Sequence, residues 1–136
     1  MLLGRGLRTI TGLAIALAGA PAWAQPEGDE LVRMGRLATL GPLCEMRDEA
    51  WAFDLRRAEL QRSTDSKRFD DEALQAAPGS KEASVALSYA EMEALEDFAE
   101  TPPSHTCGHL ARDPELGHAD EVVRAFRAQR ARFSDS

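Results

Sequence analysis

Residues 105–109 read His-Thr-Cys-Gly-His, and a third histidine follows at position 118. Imidazole nitrogen and thiolate sulfur both suit zinc and copper, so His105, Cys107, His109 and His118 form a candidate metal site. The same sulfur has a competing use. Cys44 is the only other cysteine in the chain, and a disulfide between the two would leave the metal reading with His105, His109 and His118 alone. Cys107 beside a histidine could also be a nucleophile with its base. No glycine turn suited to an oxyanion hole accompanies it, and an exported thiol would be oxidised.

Other catalytic signatures are missing. Gly-x-Ser-x-Gly does not occur, and no glycine-rich loop is present to cradle phosphate. Cys-x-x-Cys-His, the attachment site of c-type haem, is also absent. Carboxylates are frequent between Glu91 and Glu100, but at helical spacing they read as a wet face rather than an acid–base pair. The expectation from these residues is a protein that is not an enzyme and that holds no cofactor, with an enzyme kept as an alternative.

These side chains need a compartment and a scaffold. The first 24 residues have the pattern of a Sec-type signal peptide: Arg5 and Arg8, an apolar run from Thr9 to Ala20, then Ala22-Trp23-Ala24 as a small-x-small cleavage site. The run is shorter than the roughly 20 residues a membrane span needs, so no stable insertion is expected after cleavage. No cysteine follows the cleavage site to carry a lipid, and the two arginines are not adjacent. Removing residues 1–24 from the 136 leaves 112, enough for one domain over residues 25–136.

Charge narrows the partners. The chain carries −7 overall, and the loss of Arg5 and Arg8 takes the mature chain to −9. Nucleic acid and anionic membranes need concentrated positive charge, so neither is an expected partner. Lys67 and Lys81 are the only lysines among many arginines. That bias points to a GC-rich bacterial genome and hence to the periplasm. Two cysteines in an exported chain read as one bridge. Closing the loop from Cys44 to Cys107 is worth roughly 4 kcal/mol in the chain-entropy model.

The chain in order predicts an all-α bundle of about four main helices. Asp29 is a plausible N-cap for a first helix whose buried face is Leu31, Met34, Leu37 and Ala38. Gly41-Pro42 should kink or stop it. A second helix starts near Arg47 or Asp48. One stripe holds Ala50, Phe53 and Leu60, and the adjoining one holds Trp51, Leu55 and Ala58. A minor helix spans about Phe69 to Ala77, and Pro78-Gly79 ends it. Ser80 then caps a long helix to about Glu100, with Ala83, Leu87, Ala90, Ala94 and Phe98 inward and Met92 and Leu95 flanking them. A brief helical turn runs from Ser104 to Ala111. The last helix covers about His118 to Phe133, with Ala119, Val122, Val123, Phe126 and Phe133 inward. Asp113-Pro114 makes a cap and first helical position just ahead of it. No run alternates β-branched with polar residues, so no strand is predicted.

The pieces Leu37, Leu40, Leu43-Cys44, Trp51, Leu55, Leu60 and Cys107 make the segment similar to small exported bacterial helical proteins of unknown function. Those proteins share a first helix ending in Leu-Cys, a Trp-led second helix and a later cysteine. The resemblance implies a helical fold and an export route, and no activity.

Trp51 and Phe53 have two readings. They pack in the core, or they form an exposed aromatic patch for a partner. The excess of negative charge favours a basic partner. The leading expectation is thus an exported helical protein acting by protein–protein interaction. The alternative is a periplasmic metal-binding protein using His105, His109 and His118.

Overall fold

Gly41 marks where the chain first turns back on itself, and the indole of Trp51 fills the space that a side chain there would occupy. The computed structural model describes residues 26–134, and the expected signal peptide lies outside them. Among the described residues there are six helices and no strand. The first, α1, is Pro26–Leu43; α2 is Glu49–Thr64; α3 is Asp71–Ala76. The long α4 is Ser80–Glu100, the short α5 is Pro103–Ala111, and α6 is Pro114–Ser134. Four are long and two short, as the sequence periodicity predicts.

Helix α1 is the centre of the bundle. It packs most extensively on α4, next on α2, and more lightly on α5 and α6. Its expected face, Leu31, Met34, Leu37 and Ala38, is buried. Gly35 sets how near α4 comes, because a Cβ there would stand 2.7 Å from the Cβ of Ala90. Ala83, Ala86, Ala90 and Ala94 are the buried side of α4. Small residues on both helices bring the axes together, and the larger aliphatic groups interlock around them.

Helix α1 ends at Leu43, one residue beyond Pro42, in keeping with the stop that Gly41-Pro42 suggests. The turn closes beyond it, with the Cys44 amide donating to Leu40 and the Met46 amide to Gly41. Glu45 takes the left-handed conformation, φ 55°, that ends many helices. Adding a Cβ to Gly41 would bring it within 3.0 Å of the Trp51 ring. The glycine therefore lets that ring lie against the end of α1.

Asp48 caps α2, its carboxylate accepting the Trp51 amide at 2.8 Å. Phe69 and Asp70 precede α3 instead of opening it, and Asp70 is the cap. Ser80 is the first helical residue of α4 and not its cap. Gly79, at φ 84°, holds the cap position, and the buried Ser80 hydroxyl donates back to the Gln75 carbonyl. Helix α6 begins four residues earlier than expected, because Asp113 accepts the Glu115 amide and Pro114 fits the first turn. Phe133, expected inward, is 63% exposed and meets only the edge of the fold, its ring centroid 5.3 Å from that of Phe69.

The core has two parts. One gathers Met34, Leu37, Leu40, Trp51, Leu55 and Val123 between α1, α2 and α6. The other joins Leu31, Leu60, Leu74 and Leu87 under α3. Cys44 and Cys107 are bridged, with Cα atoms 5.5 Å apart, so the end of α1 is tied to α5.

Candidate functional site

Helix α5 places His105 and His109 one turn apart, and their rings meet edge to face with centroids 4.5 Å apart. Both line an open cleft of about 600 Å3 whose floor is Leu37, Leu40 and Leu110. Cys107 is no longer available as a ligand, because its sulfur is in the bridge to Cys44. His118 lies on α6, with Nε2 3.3 Å from a Glu30 carboxylate oxygen. The structure thus pairs His105 with His109 and sets His118 against α1. No group of three or more His, Cys, Asp or Glu suited to a metal ion occurs among the described residues.

Trp51 belongs to the core. It is 6% exposed, and its indole N–H donates to Asp120 of α6 at 2.9 Å. The expected interaction surface therefore loses its first residue. A ring this large is drawn inward when its single N–H has a carboxylate to satisfy it. Asp120 also receives a two-pronged bond from Arg47, at 2.9 and 2.7 Å. The hydrogen bond from Arg47 and the indole N–H outweigh burial and hold the Asp120 carboxyl below its ordinary value.

Phe53, the other half of the expected patch, is 50% exposed. The Arg57 guanidinium lies over it, 5.1 Å from the ring centroid, and donates to the Phe69 carbonyl. Phe53 stands on one bank of a depression between α2 and α4, with Ser84, Ser88 and Glu91 on the other. Ser84 and Ser88 also border the next depression, which is lined by Val85, Tyr89 and Met92.

Among the described residues, four of the seven exposed large apolar side chains lie there, on the outside of α4. Val85 is 55% exposed, Tyr89 43%, Met92 64% and Leu95 45%. At 100° per residue the four fall within a sector of about 120°. The same helix turns four alanines inward. Leu87 is buried with them and Phe98 packs against the core, so α4 carries a second line of bulky apolar residues that points to solvent. Met92 and Leu95, expected to flank the buried stripe, belong to this outer face.

Carboxylates fringe the stripe. Glu82 and Glu100 border it on one side and Glu91 on the other, while Glu96 lies within it. None of the four makes an ion pair among the described residues, whereas Glu93 and Asp97 are both held by Arg36 of α1. Tyr89 is hydrogen-bonded to Glu93, and that bond with the nearby carboxylates pushes its phenol above the ordinary value.

Two buried carboxylates hold the scaffold behind this face. Asp54 accepts from Arg127 at 2.7 Å and from Arg130 at 3.0 Å. Burial pushes its carboxyl up, but the two arginines prevail and hold it below the ordinary value. Glu59 is 2% exposed and meets only Arg62, at 3.2 Å. Burial dominates there and raises its carboxyl to about 7. Each is a lone acid between apolar neighbours on α2, Phe53 and Leu55 for Asp54 and Ala58 and Leu60 for Glu59, and that placement was the signal in the sequence.

Comparison of the chain with protein-family models, curated proteins and solved structures found no match.

The outer face of α4 is a mostly apolar strip along one side of the helix. An apolar strip of this kind offers no nucleophile, no convergent acid and base, and no metal ligand set. What it offers is area that gains by leaving water.

Proposed function

We propose that this is an exported, non-enzymatic helical protein that works by binding another protein through the outer face of α4. The observation carrying this reading is the second apolar line of that helix, on the side away from the core. Four alanines pack inward while Val85, Tyr89, Met92 and Leu95 are exposed. The bundle covers one apolar face of α4, and the second, between its carboxylates, is left to another molecule. Exposed apolar residues scattered singly are ordinary, but a line of four at helical spacing is a contact surface. The Cys44–Cys107 bridge supports an oxidising compartment, and the residues before Gln25 support export to the periplasm. Among the described residues no helix is long and apolar enough to cross a membrane.

The test is affinity capture from periplasmic extract with wild type and with a Tyr89→Ser, Met92→Ser double variant. Both residues lie outside the core, so the variant should melt like wild type. A species retained by wild type and lost from the variant supports the reading. Identical capture by both proteins overturns it.

A second reading is metal binding, and the observation favouring it is the one-turn spacing of His105 and His109 on α5. Two imidazoles and water make a weaker site than the three or four protein ligands of stable zinc centres. The contact of His118 with Glu30 removes the third expected ligand.

A further inference from the structure

We infer that the occupant of the outer face of α4 is a basic amphipathic helix of the partner protein, laid along the stripe from Val85 to Leu95. This rests on the protein-binding reading above and adds the chemistry of what binds.

The form of the partner follows from the form of the surface. A helix satisfies its own backbone groups, so α4 has no row of free N–H and C=O groups for an added strand. It presents ridges of side chains at three- and four-residue steps. Ridges of that spacing are filled best by a second set of the same spacing, which is another helix. The span from Val85 to Leu95 is roughly 15 Å, about three turns. A partner segment of about 11–14 residues with apolar groups every third or fourth position would cover it.

The charge of the partner follows from the fringe. Glu82, Glu91, Glu96 and Glu100 surround the stripe with no cation paired to them among the described residues, and Lys81 is the one basic residue of α4. Asp71 at the start of α3 lines the depression that Glu91 borders and adds to the same side. The nearest arginines are already engaged inside the fold. Arg36 holds Glu93 and Asp97, Arg56 donates to Thr39, and Arg57 to the Phe69 carbonyl. The uncommitted charge at the rim is therefore negative. Lysines or arginines flanking an apolar stripe complement it, and desolvating the rim without them would be costly.

A second copy of the chain fits poorly. Each copy would bring one lysine against four unpaired carboxylates, on a chain whose formal net charge is already −7. An anionic membrane surface is repelled for the same reason.

The probe is a labelled leucine–lysine peptide of about 14 residues with its leucines on one helical face. Two controls accompany it: the same composition scrambled so that no face is apolar, and a leucine–glutamate version. Titration of the full chain, followed by fluorescence anisotropy, is expected to give a micromolar Kd for the amphipathic basic peptide. The scrambled peptide should bind at least about tenfold more weakly, a free-energy difference of about 1.4 kcal/mol. The acidic peptide should not bind. Tyr89→Ser with Met92→Ser should weaken the basic peptide about tenfold or more. Glu91→Gln with Glu96→Gln should weaken it several-fold and flatten its salt dependence.

Equal binding of the amphipathic and scrambled peptides would overturn the inference, and so would binding indifferent to Tyr89 and Met92. If capture from extract still depends on those two residues, the protein-binding reading survives with a partner of other chemistry. If capture is also indifferent, both fall. Sedimentation that shows a dimer abolished by the Tyr89→Ser, Met92→Ser variant would assign the face to a second copy and exclude the basic helix.

Discussion

The indole nitrogen of Trp51 donates to the same Asp120 oxygen that accepts Nε of Arg47, both at 2.9 Å. One carboxylate on α6 thus fastens the start of α2 and the turn before it. Trp51→Phe keeps most of the ring's packing and removes only the N–H. Because Arg47 still satisfies Asp120, the loss should be modest, about 1–2 kcal/mol. Asp120→Ala should cost more, since it leaves both the buried indole N–H and the Arg47 guanidinium without their acceptor. Urea denaturation of the two variants checks the order. A Trp51→Phe variant less stable than Asp120→Ala would show that ring fit, and not the carboxylate, governs this junction.

The bridge gives a second expectation. Cys44 and Cys107 are 63 residues apart in sequence, and their Cα separation of 5.5 Å lies at the usual value for a disulfide. Thiol titration of the native protein without reductant should find none. Replacing both cysteines by serine should cost up to roughly 4 kcal/mol through the larger entropy of the open unfolded chain. That is a large share of the stability of a domain this size. Two titratable thiols in the native oxidised protein would contradict the bridge.

Much of the scaffold was legible in the sequence because it is local. The face of α1, the Asp48 cap and the Pro78-Gly79 break each depend on residues within a few positions of one another. What periodicity could not supply was pairing over long separations. Asp54 lies more than 70 residues from Arg127 and Arg130, and Trp51 lies 69 from Asp120. Nothing in local spacing says that those charges will meet, so Trp51 could be read as core or as surface. In α4 the inward stripe of Ala83, Leu87, Ala90 and Ala94 was legible, but the exposure of Met92 and Leu95 was not. The close approach at Gly35 gives the inward stripe its physical reason, because a Cβ there would already crowd Ala90. A small residue on one helix selects the face of another, and that relation spans more than 50 residues.

Metal binding can be measured directly. His105 and His109 offer two imidazoles on one face of α5, and Cys107 is committed to sulfur. Calorimetry with zinc should show no micromolar site in the oxidised protein. Reduction frees Cys107 beside His105 and His109 and should strengthen any binding, since a thiolate joins the imidazoles. Tight zinc binding by the oxidised protein, lost in a His105→Ala, His109→Ala variant, would replace the protein-binding reading with the metal one.

Glu59 makes the sharpest prediction about pH. Its carboxyl is raised from an ordinary value of 4.5 to about 7, and burial is the main cause. Arg62 on its own helix and His118 and Arg33 on α6 and α1 oppose the rise, while Glu30 of α1 adds to it. Between pH 4.5 and 7 the folded protein therefore holds a proton that the unfolded chain has released. Stability falls with pH wherever the folded state binds more protons. The contribution is fully present below about pH 4.5 and is lost as pH rises through about 7. Full loss corresponds to about 3 kcal/mol, at 1.36 kcal/mol for each tenfold change in proton affinity. Glu59→Gln imitates the protonated carboxyl at every pH. Its stability should match wild type near pH 4.5 and exceed it near pH 8 by up to about 3 kcal/mol. Asp54 and Asp120, held below their ordinary values, work in the opposite direction, but only in acid and equally in both proteins. The difference between the two denaturation series therefore isolates Glu59. A gap that does not widen from pH 5 to pH 8 would mean that Glu59 stays ionised in the fold, with Arg62 holding its charge.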